Sequence, residues 1–305
     1  MVTIRKRGAP LNATENNVLS DPGPQRTLAR RAEVSGFGFW SGQDVTIEFL
    51  PAPEDYGIRF TRTDLTSEPP LPALLKYRIQ KPRQTSLLRG DLQVDMIEHV
   101  MATLRGLGID NCQIRIGGPE MPGLDGSSIA FTRAILDAGI VTQNQPKRRR
   151  VIREPIRLAD GDWSIEALPS PNGKIFFAYD LDYPPGPVRE AIGQQSFELI
   201  LTPESFQKEL AGARTFLMES EARELLDLGL CKRVTPRDVL VFTKSGPIDN
   251  SLRYPDECAR HKVLDLIGDS ALAGAVLVGH FRARKTGHWQ NAELIAEILE
   301  KTELE

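Results

Sequence analysis

The sequence predicts an α+β protein of two similar domains, each a sheet packed with helices on one face. Three observations lead there. Strand-like alternation of apolar and polar residues recurs in both halves of the chain. Each half closes with a helix, a strand and a second helix, which favours sheets with helices segregated to one face. Between the halves lies "TQNQPKRRR", Thr142 to Arg150, polar, basic and interrupted by Pro146, which reads as a boundary.

Residues 1–25 read as a poorly ordered extension. A first domain over 26–145 begins with alternation in "RTLARRAEV" and "QDVTIEFLPA" and again in "NCQIRI". It closes with a helix near Asp95 to Gly106, a strand over Asn111 to Ile116 and a helix near Ser127 to Ala138. A second domain over 146–305 starts with strands in "VIREPIRL", "WSIEAL", "KIFFAYDLD" and "SFELIL". Its closing elements are a helix near Asp256 to Leu272, a strand over Ala275 to Arg284 and a helix from about Trp289 to Glu300. The stretch near 217–251 reads as an insertion: "ESEARELLDLG" is helical with Gly229 as its stop, and "RDVLVFT" is a strand.

Length and composition limit the function. A chain of 305 residues suits two domains with cores of their own, and 26% charged with 40% apolar residues is a soluble, globular balance. A net charge of -3 gives no reason to expect nucleic acid. No apolar run approaches a membrane span. The N-terminal stretch lacks the apolar core of a secretory signal, so a cytoplasmic protein is expected. Three widely spaced cysteines, with no C-x-x-C pair, argue against a disulfide framework or a thiolate zinc site. A metal, if present, is held by nitrogen and oxygen.

The four histidines narrow the chemistry. In "ECARHKVLDLIGDSALAG", His261, Asp265 and Asp269 stand four residues apart and so stack along one helix stripe. Alone, such a His/Asp pair is more often a surface hydrogen bond than a metal site. Here Asp269 extends the row, Lys262 sits beside it, and Val263, Leu264 and Ile267 make the opposite face apolar enough to bury the helix. A rigid, core-packed helix holds two ligands at fixed separation. His99 lies on the helix "VDMIEHVMATLRGLGIDN" directly after Glu98. Two His and one Asp, with a fourth position for water, make a plausible catalytic zinc sphere, and a neighbouring glutamate is placed to take a proton. No H-E-x-x-H supports a thermolysin-type peptidase. His288, in "RKTGHWQN", reads as a connecting-loop residue suited to donating a proton or stabilising negative charge. His280, inside an alternating strand, reads as structural.

Taken together, "RTLARRAEVSGFGFWSGQDVTIEFLPAP", "GIRFTRTDL", "MIEHVMATLRGLGIDN", "GPEMPGLDGSS", "ARTF", "RHKVLDLIGD" and "KTGH" resemble one family. It is that of the zinc-dependent UDP-3-O-acyl-N-acetylglucosamine deacetylases of lipid A biosynthesis, and the likeness runs from about Gln25 to the C-terminus. The resemblance implies two α+β units facing each other, with Zn2+ at their junction on His99, His261 and Asp265. It also implies Glu98 as general base, His288 as the acid protonating the leaving amine, and Asp269 as the carboxylate orienting that histidine. Thr215 would help hold the oxyanion, and Phe216 and Lys262 would contact the sugar or its phosphates. The implied substrate is a UDP-linked, 3-O-acylated glucosamine, from which an N-acetyl group is hydrolysed. A monomer is expected, and peripheral membrane association stays open.

Two places depart from the family's pattern. Trp40 stands in "GFGFWSG" where members commonly carry a His that is not a metal ligand. After "GLC", Lys232 and Arg233 replace glycines in the insertion that forms the family's acyl-chain passage. Two other readings remain: a zinc deacetylase of a different acylated sugar, or a non-catalytic relative that binds a sugar nucleotide.

Overall fold

The computed structural model describes residues 23–65 and 67–305. Most of the extension expected over 1–25 therefore lies outside the described residues. Its last part is structured: strand β1 (Pro24–Leu28) begins at Pro24, and Gln25 is buried.

The first half continues with β2 (Ala32–Phe37), β3 (Asp44–Pro51), β4 (Ile58–Arg62) and β5 (Leu71–Pro72). A hairpin pair follows, β6 (Arg78–Lys81), β7 (Gln84–Arg89) and β8 (Leu92–Val94), then helix α1 (Glu98–Leu107), β9 (Cys112–Ile116), α2 (Ile129–Ala138) and β10 (Ile140–Pro146). The second half runs β11 (Arg149–Val151), β12 (Ile156–Asp160), β13 (Trp163–Leu168), β14 (Phe176–Leu181), α3 (Pro187–Ile192), β15 (Gln195–Ile200) and the short α4 (Pro203–Ser205). It then forms β16 (Phe216–Met218), α5 (Glu219–Asp227), β17 (Leu240–Thr243), β18 (Gly246–Pro247), α6 (Glu257–Ser270), β19 (Val276–Val278), β20 (His280–Arg284) and α7 (His288–Lys301).

The two principal sheets have the same topology. One orders β2-β3-β9-β4-β5 and the other β12-β13-β20-β14-β15. In each, the last strand in sequence enters the middle, antiparallel to one neighbour (β3 or β13) and parallel to the other (β4 or β14). Their inner faces carry the alternating core residues, such as Ile47 and Phe49 on β3 and Ile165 and Ala167 on β13, all fully buried. The repeat resides in strand pairing, which residue-by-residue comparison of the halves does not reveal.

The stretch Thr142–Arg150, read as a boundary, carries the end of β10, which pairs antiparallel with β1, and the start of β11, which pairs parallel with β19. Three expectations need correcting. "RTLARRAEV" is two strands split at residues 29–31. The strand expected over Ala275–Arg284 breaks at Gly279, where a Cβ would stand 2.7 Å from Ile152 and 3.1 Å from the Leu168 carbonyl oxygen. Helix α1 starts at Glu98 rather than near Asp95, because Met96 adopts a left-handed φ of 59° that no right-handed helix contains.

The site depends on the meeting of α1 and α6, the closing helices of the two halves. Both are buried on nearly all sides. A Cβ added to Gly268 would lie 2.1 Å from the Glu98 carbonyl oxygen, so only glycine permits this approach. Backbone cannot rotate aside as a side chain can. Gly268→Ala is therefore expected to force the helices apart and cost about 1–3 kcal/mol, the usual range for overpacking. Denaturant unfolding checks this; an unchanged midpoint would mean that the helices are not so tightly apposed.

Candidate active site

α1 contributes Glu98 and His99 as its first residues, and α6 contributes His261, Asp265 and Asp269 along one stripe. The two helices bring ligand atoms of His99, His261 and Asp265 within 4.8 Å of one another. His261 Nε2 lies 3.4 Å and His99 Nε2 3.9 Å from Asp265 Oδ1, and the two imidazoles meet edge to face at 5.1 Å.

The donor set fits a divalent cation. Asp265 Oδ1 is buried and accepts no hydrogen bond, a costly state for a carboxylate oxygen unless a cation completes it. Burial pushes the His99 imidazole down to about 3, aided by the charge of His261, and burial lowers His261 as well. Burial thus favours the neutral form of both rings, in which lone pairs are available. Burial opposes ionisation of Asp265, but His261 and Lys262 outweigh it and hold the carboxyl below its ordinary range. The His261 Nδ1 faces the Ala213 carbonyl at 3.2 Å. With its proton there, Nε2 presents its lone pair to the cluster, the usual way a neighbour sets a ligand tautomer.

Glu98 and His288 flank this cluster. The Glu98 carboxylate is 3% exposed, and its Oε2 accepts a hydrogen bond from the Thr85 amide at 2.9 Å. Burial pushes its pKa up to about 7, against the opposing pull of the His288 cation. His288 does not lie in a connecting loop; it is the first residue of α7, after Gly287. Its Nδ1 is 2.8 Å from Asp269 Oδ2. Burial alone would lower its pKa, but the Asp269 charge and hydrogen bond, with Asp265 and Glu98, push it up to about 9.

The other expected residues lie nearby. Thr215 and Phe216 line the same cavity, of about 1450 Å³, and the Phe216 ring meets His261 edge-on at 6.3 Å. Lys262 also lines the cavity, yet its ammonium donates to Asp265 Oδ2 at 2.8 Å. It therefore holds the second oxygen of a candidate ligand. His280 lies apart, its ring tilted against that of Phe176 and 3.4 Å from Glu198.

Two participants are missing from the sequence reading. The Thr85 hydroxyl, on β7, donates to Asp269 Oδ1 at 2.5 Å and lies 3.2 Å from His288 Nδ1. Asn291 donates to Asp269 Oδ2 at 2.8 Å. Asn291 stands three residues after His288 on one helix face, a spacing that offered a signal. Thr85 offered none, being one polar residue in an ordinary strand.

The stretch near 217–251 forms much of the cavity wall. β16, β17 and β18 make a small sheet backed by α5, and Met218, Leu225, Val241 and Ile248 face the cavity. Trp40 joins this wall, its amide held by Glu120 Oε1 at 2.8 Å. Arg233 turns away to donate to the Gly42 carbonyl and Asp44, each at 2.7 Å, and covers the Phe37 ring at 4.4 Å. Lys232 is exposed. Among the described residues no helix is long and apolar enough to cross a membrane.

Comparison with known proteins gives this geometry its context. The family described as UDP-3-O-acyl N-acetylglycosamine deacetylase matches residues 25–300. A UDP-3-O-acyl-N-acetylglucosamine deacetylase of Myxococcus xanthus is 37% identical over 276 residues, 90% of this chain and 86% of that protein. One from Chlamydia felis is 40% identical over 278 residues, covering 91% and 97% respectively, and one from Solibacter usitatus is 38% identical over 90% and 91%. Likeness of this extent, over a chain that gathers two imidazoles and a carboxylate at the contact of its two halves, makes the protein a member of the UDP-3-O-acyl-N-acetylglucosamine deacetylase family.

Proposed function

We propose that this protein is a Zn2+-dependent amidohydrolase that removes the N-acetyl group from a UDP-linked, 3-O-acylated N-acetylglucosamine, as a step of lipid A biosynthesis. The products are acetate and the free amine. The observation that carries the reading is the buried His99–His261–Asp265 cluster with its unpartnered carboxylate oxygen, flanked by Glu98 and His288.

In this reading His99, His261 and Asp265 hold the Zn2+. When bound, the cation supplies Lewis acidity, making water acidic enough to ionise near pH ~7 and drawing electrons from a carbonyl. Glu98 takes a proton from the attacking water as its oxygen bonds to the acetyl carbon. The Thr215 hydroxyl donates to the oxyanion that develops. As the carbon–nitrogen bond breaks, His288 gives its proton to the departing nitrogen. Asp269, held by Thr85 and Asn291, keeps the His288 ring oriented and charged. The reaction needs Glu98 ionised and His288 protonated. Pushed up to about 7 and about 9, the two coexist in those states between these values. Phe216 and Lys262 are assigned to the sugar or its phosphates, with the Lys262 ammonium shared between substrate and Asp265.

The test is acetate release from the UDP-linked substrate by protein of known metal content. One metal ion per chain, loss of activity with a chelator and recovery with Zn2+ are expected. Full activity in metal-free protein would sink the reading. The apolar wall supplied by the insertion yields a smaller effect. Removing one methylene from the 3-O-acyl chain should weaken binding by up to ~0.8 kcal/mol, the value for complete burial. A substrate series with kcat/KM independent of chain length would take the acyl group out of this cavity.

A further inference from the structure

We infer that the buried ion pair of Arg214 and Glu257 is a positioning element of the metal site, aligning His261 and Thr215 together. The inference rests on the metallohydrolase reading above. Glu257 is the first residue of α6, one helical turn before His261, and it is fully buried; Arg214 is 4% exposed. Arg214 Nε donates to Glu257 Oε1 at 2.7 Å and Nη2 to Oε2 at 3.1 Å, a two-pronged contact, while its backbone amide reaches Oε1 at 3.2 Å. The rest of the guanidinium is also occupied: Nη1 donates to Asn250 Oδ1 at 2.8 Å and Nη2 to the Ser251 carbonyl at 2.7 Å. The Arg253 amide adds a further bond to Glu257 Oε2, at 2.6 Å.

Stability alone does not explain such a pair. Removing two charges from water is costly, and well-packed apolar residues of similar volume often serve a fold equally well or better. What a forked guanidinium supplies is a fixed orientation between two backbone segments. The segment fixed here is 213–215, and each of its residues faces a separate part of the site. The Ala213 carbonyl meets His261 Nδ1 at 3.2 Å, Arg214 grips the start of α6, and Thr215 lines the cavity. On its far side the segment is held by the Thr215 amide, which donates to the Gly126 carbonyl at 2.8 Å. Gly126 has a φ of +73°, and a Cβ there would come within 2.8 Å of Thr215 Cγ2. A loosened Arg214 would let the segment slide along α6. The Ala213 carbonyl would then leave His261, and the ring would lose the partner that directs Nε2 toward the cluster.

Two variants test this: Arg214→Lys, which keeps the charge without the fork, and the double variant Arg214→Met/Glu257→Met, which leaves no charge buried. Zn2+ affinity is measured by competition with a chelator, alongside the visible spectrum of Co2+-substituted protein, thermal unfolding, kcat and KM. Both variants should bind Zn2+ about 10–100-fold more weakly, the usual effect of losing support behind a ligand. The Co2+ spectrum should change, and kcat should fall more than KM rises. The double variant should recover stability that Arg214→Lys loses, without recovering Zn2+ affinity. Wild-type Zn2+ affinity and Co2+ spectrum in either folded variant would overturn the inference. Failure of both to fold would overturn it too, by making the pair a requirement of the fold. His261→Ala is the separate control: if it binds Zn2+ like the wild type, the metal reading itself fails, whatever Arg214 does.

Discussion

Glu98→Gln is expected to lose about 10²–10⁴-fold in kcat, the typical contribution of a general base, while binding its metal normally. The substitution preserves shape, and the glutamine oxygen can still accept the Thr85 amide that Glu98 Oε2 accepts at 2.9 Å. What disappears is a carboxylate that burial has pushed up to about 7, a value well matched to taking a proton near neutral pH. The three converging ligand atoms come from His99, His261 and Asp265, not from Glu98, so metal content should stay at one per chain and KM should change little. His261→Ala should behave in the opposite way, losing metal first and activity as a consequence. Metal analysis with steady-state kinetics on both variants separates the roles. Glu98→Gln that lost its metal yet turned over normally once reloaded would make Glu98 a ligand rather than the base.

Much of this centre was legible in the sequence, because α6 writes three of its members in one line. His261, Asp265 and Asp269 share a stripe by helical spacing alone, and Glu98 and His99 are neighbours. Their convergence was not legible from spacing, since it depends on Gly268 admitting the Glu98 backbone; for that the family resemblance was needed. The fold shows the same division. Alternation located the strands, but the matching β2-β3-β9-β4-β5 and β12-β13-β20-β14-β15 orders follow from hydrogen bonds between segments far apart in the chain. The same holds for Thr85, whose hydroxyl reaches Asp269 across 184 positions. Periodicity sees neighbours on one element and is blind to partners supplied by another. Composition is equally blind to backbone pairing: the polar, basic stretch Thr142–Arg150 carries residues of β10 and β11, paired on β1 and β19.

His288→Ala should also lower kcat by about 10²–10⁴-fold with metal retained, since this imidazole starts α7 and adds no atom to the ligand cluster. Its effect combined with Glu98→Gln should be smaller than the product of the two, because groups acting as a unit are not additive. The pH profile gives the sharper test. In the proposed mechanism the active form carries a protonated His288, so activity should fall as pH rises through about 9. Asp269 is the main cause of that raised value, against a burial effect that lowers it. Asp269→Asn removes the charge and leaves the burial, so the alkaline limb should move down toward or below the ordinary 6.5. It should do so without loss of metal, because Asp269 stands one turn beyond the proposed ligand Asp265 and is occupied by Thr85, His288 and Asn291. The pair also bears on folding. A folded-state pKa above the unfolded one means stabilisation that is fully present below about 6.5 and lost as pH rises through about 9. Asp269→Asn should thus narrow the stability difference between pH 6 and pH 10 as well as shift the kinetic limb. An Asp269→Asn enzyme whose alkaline limb stayed near 9 would detach that limb from His288 and leave the proton donor to be sought elsewhere in the cavity.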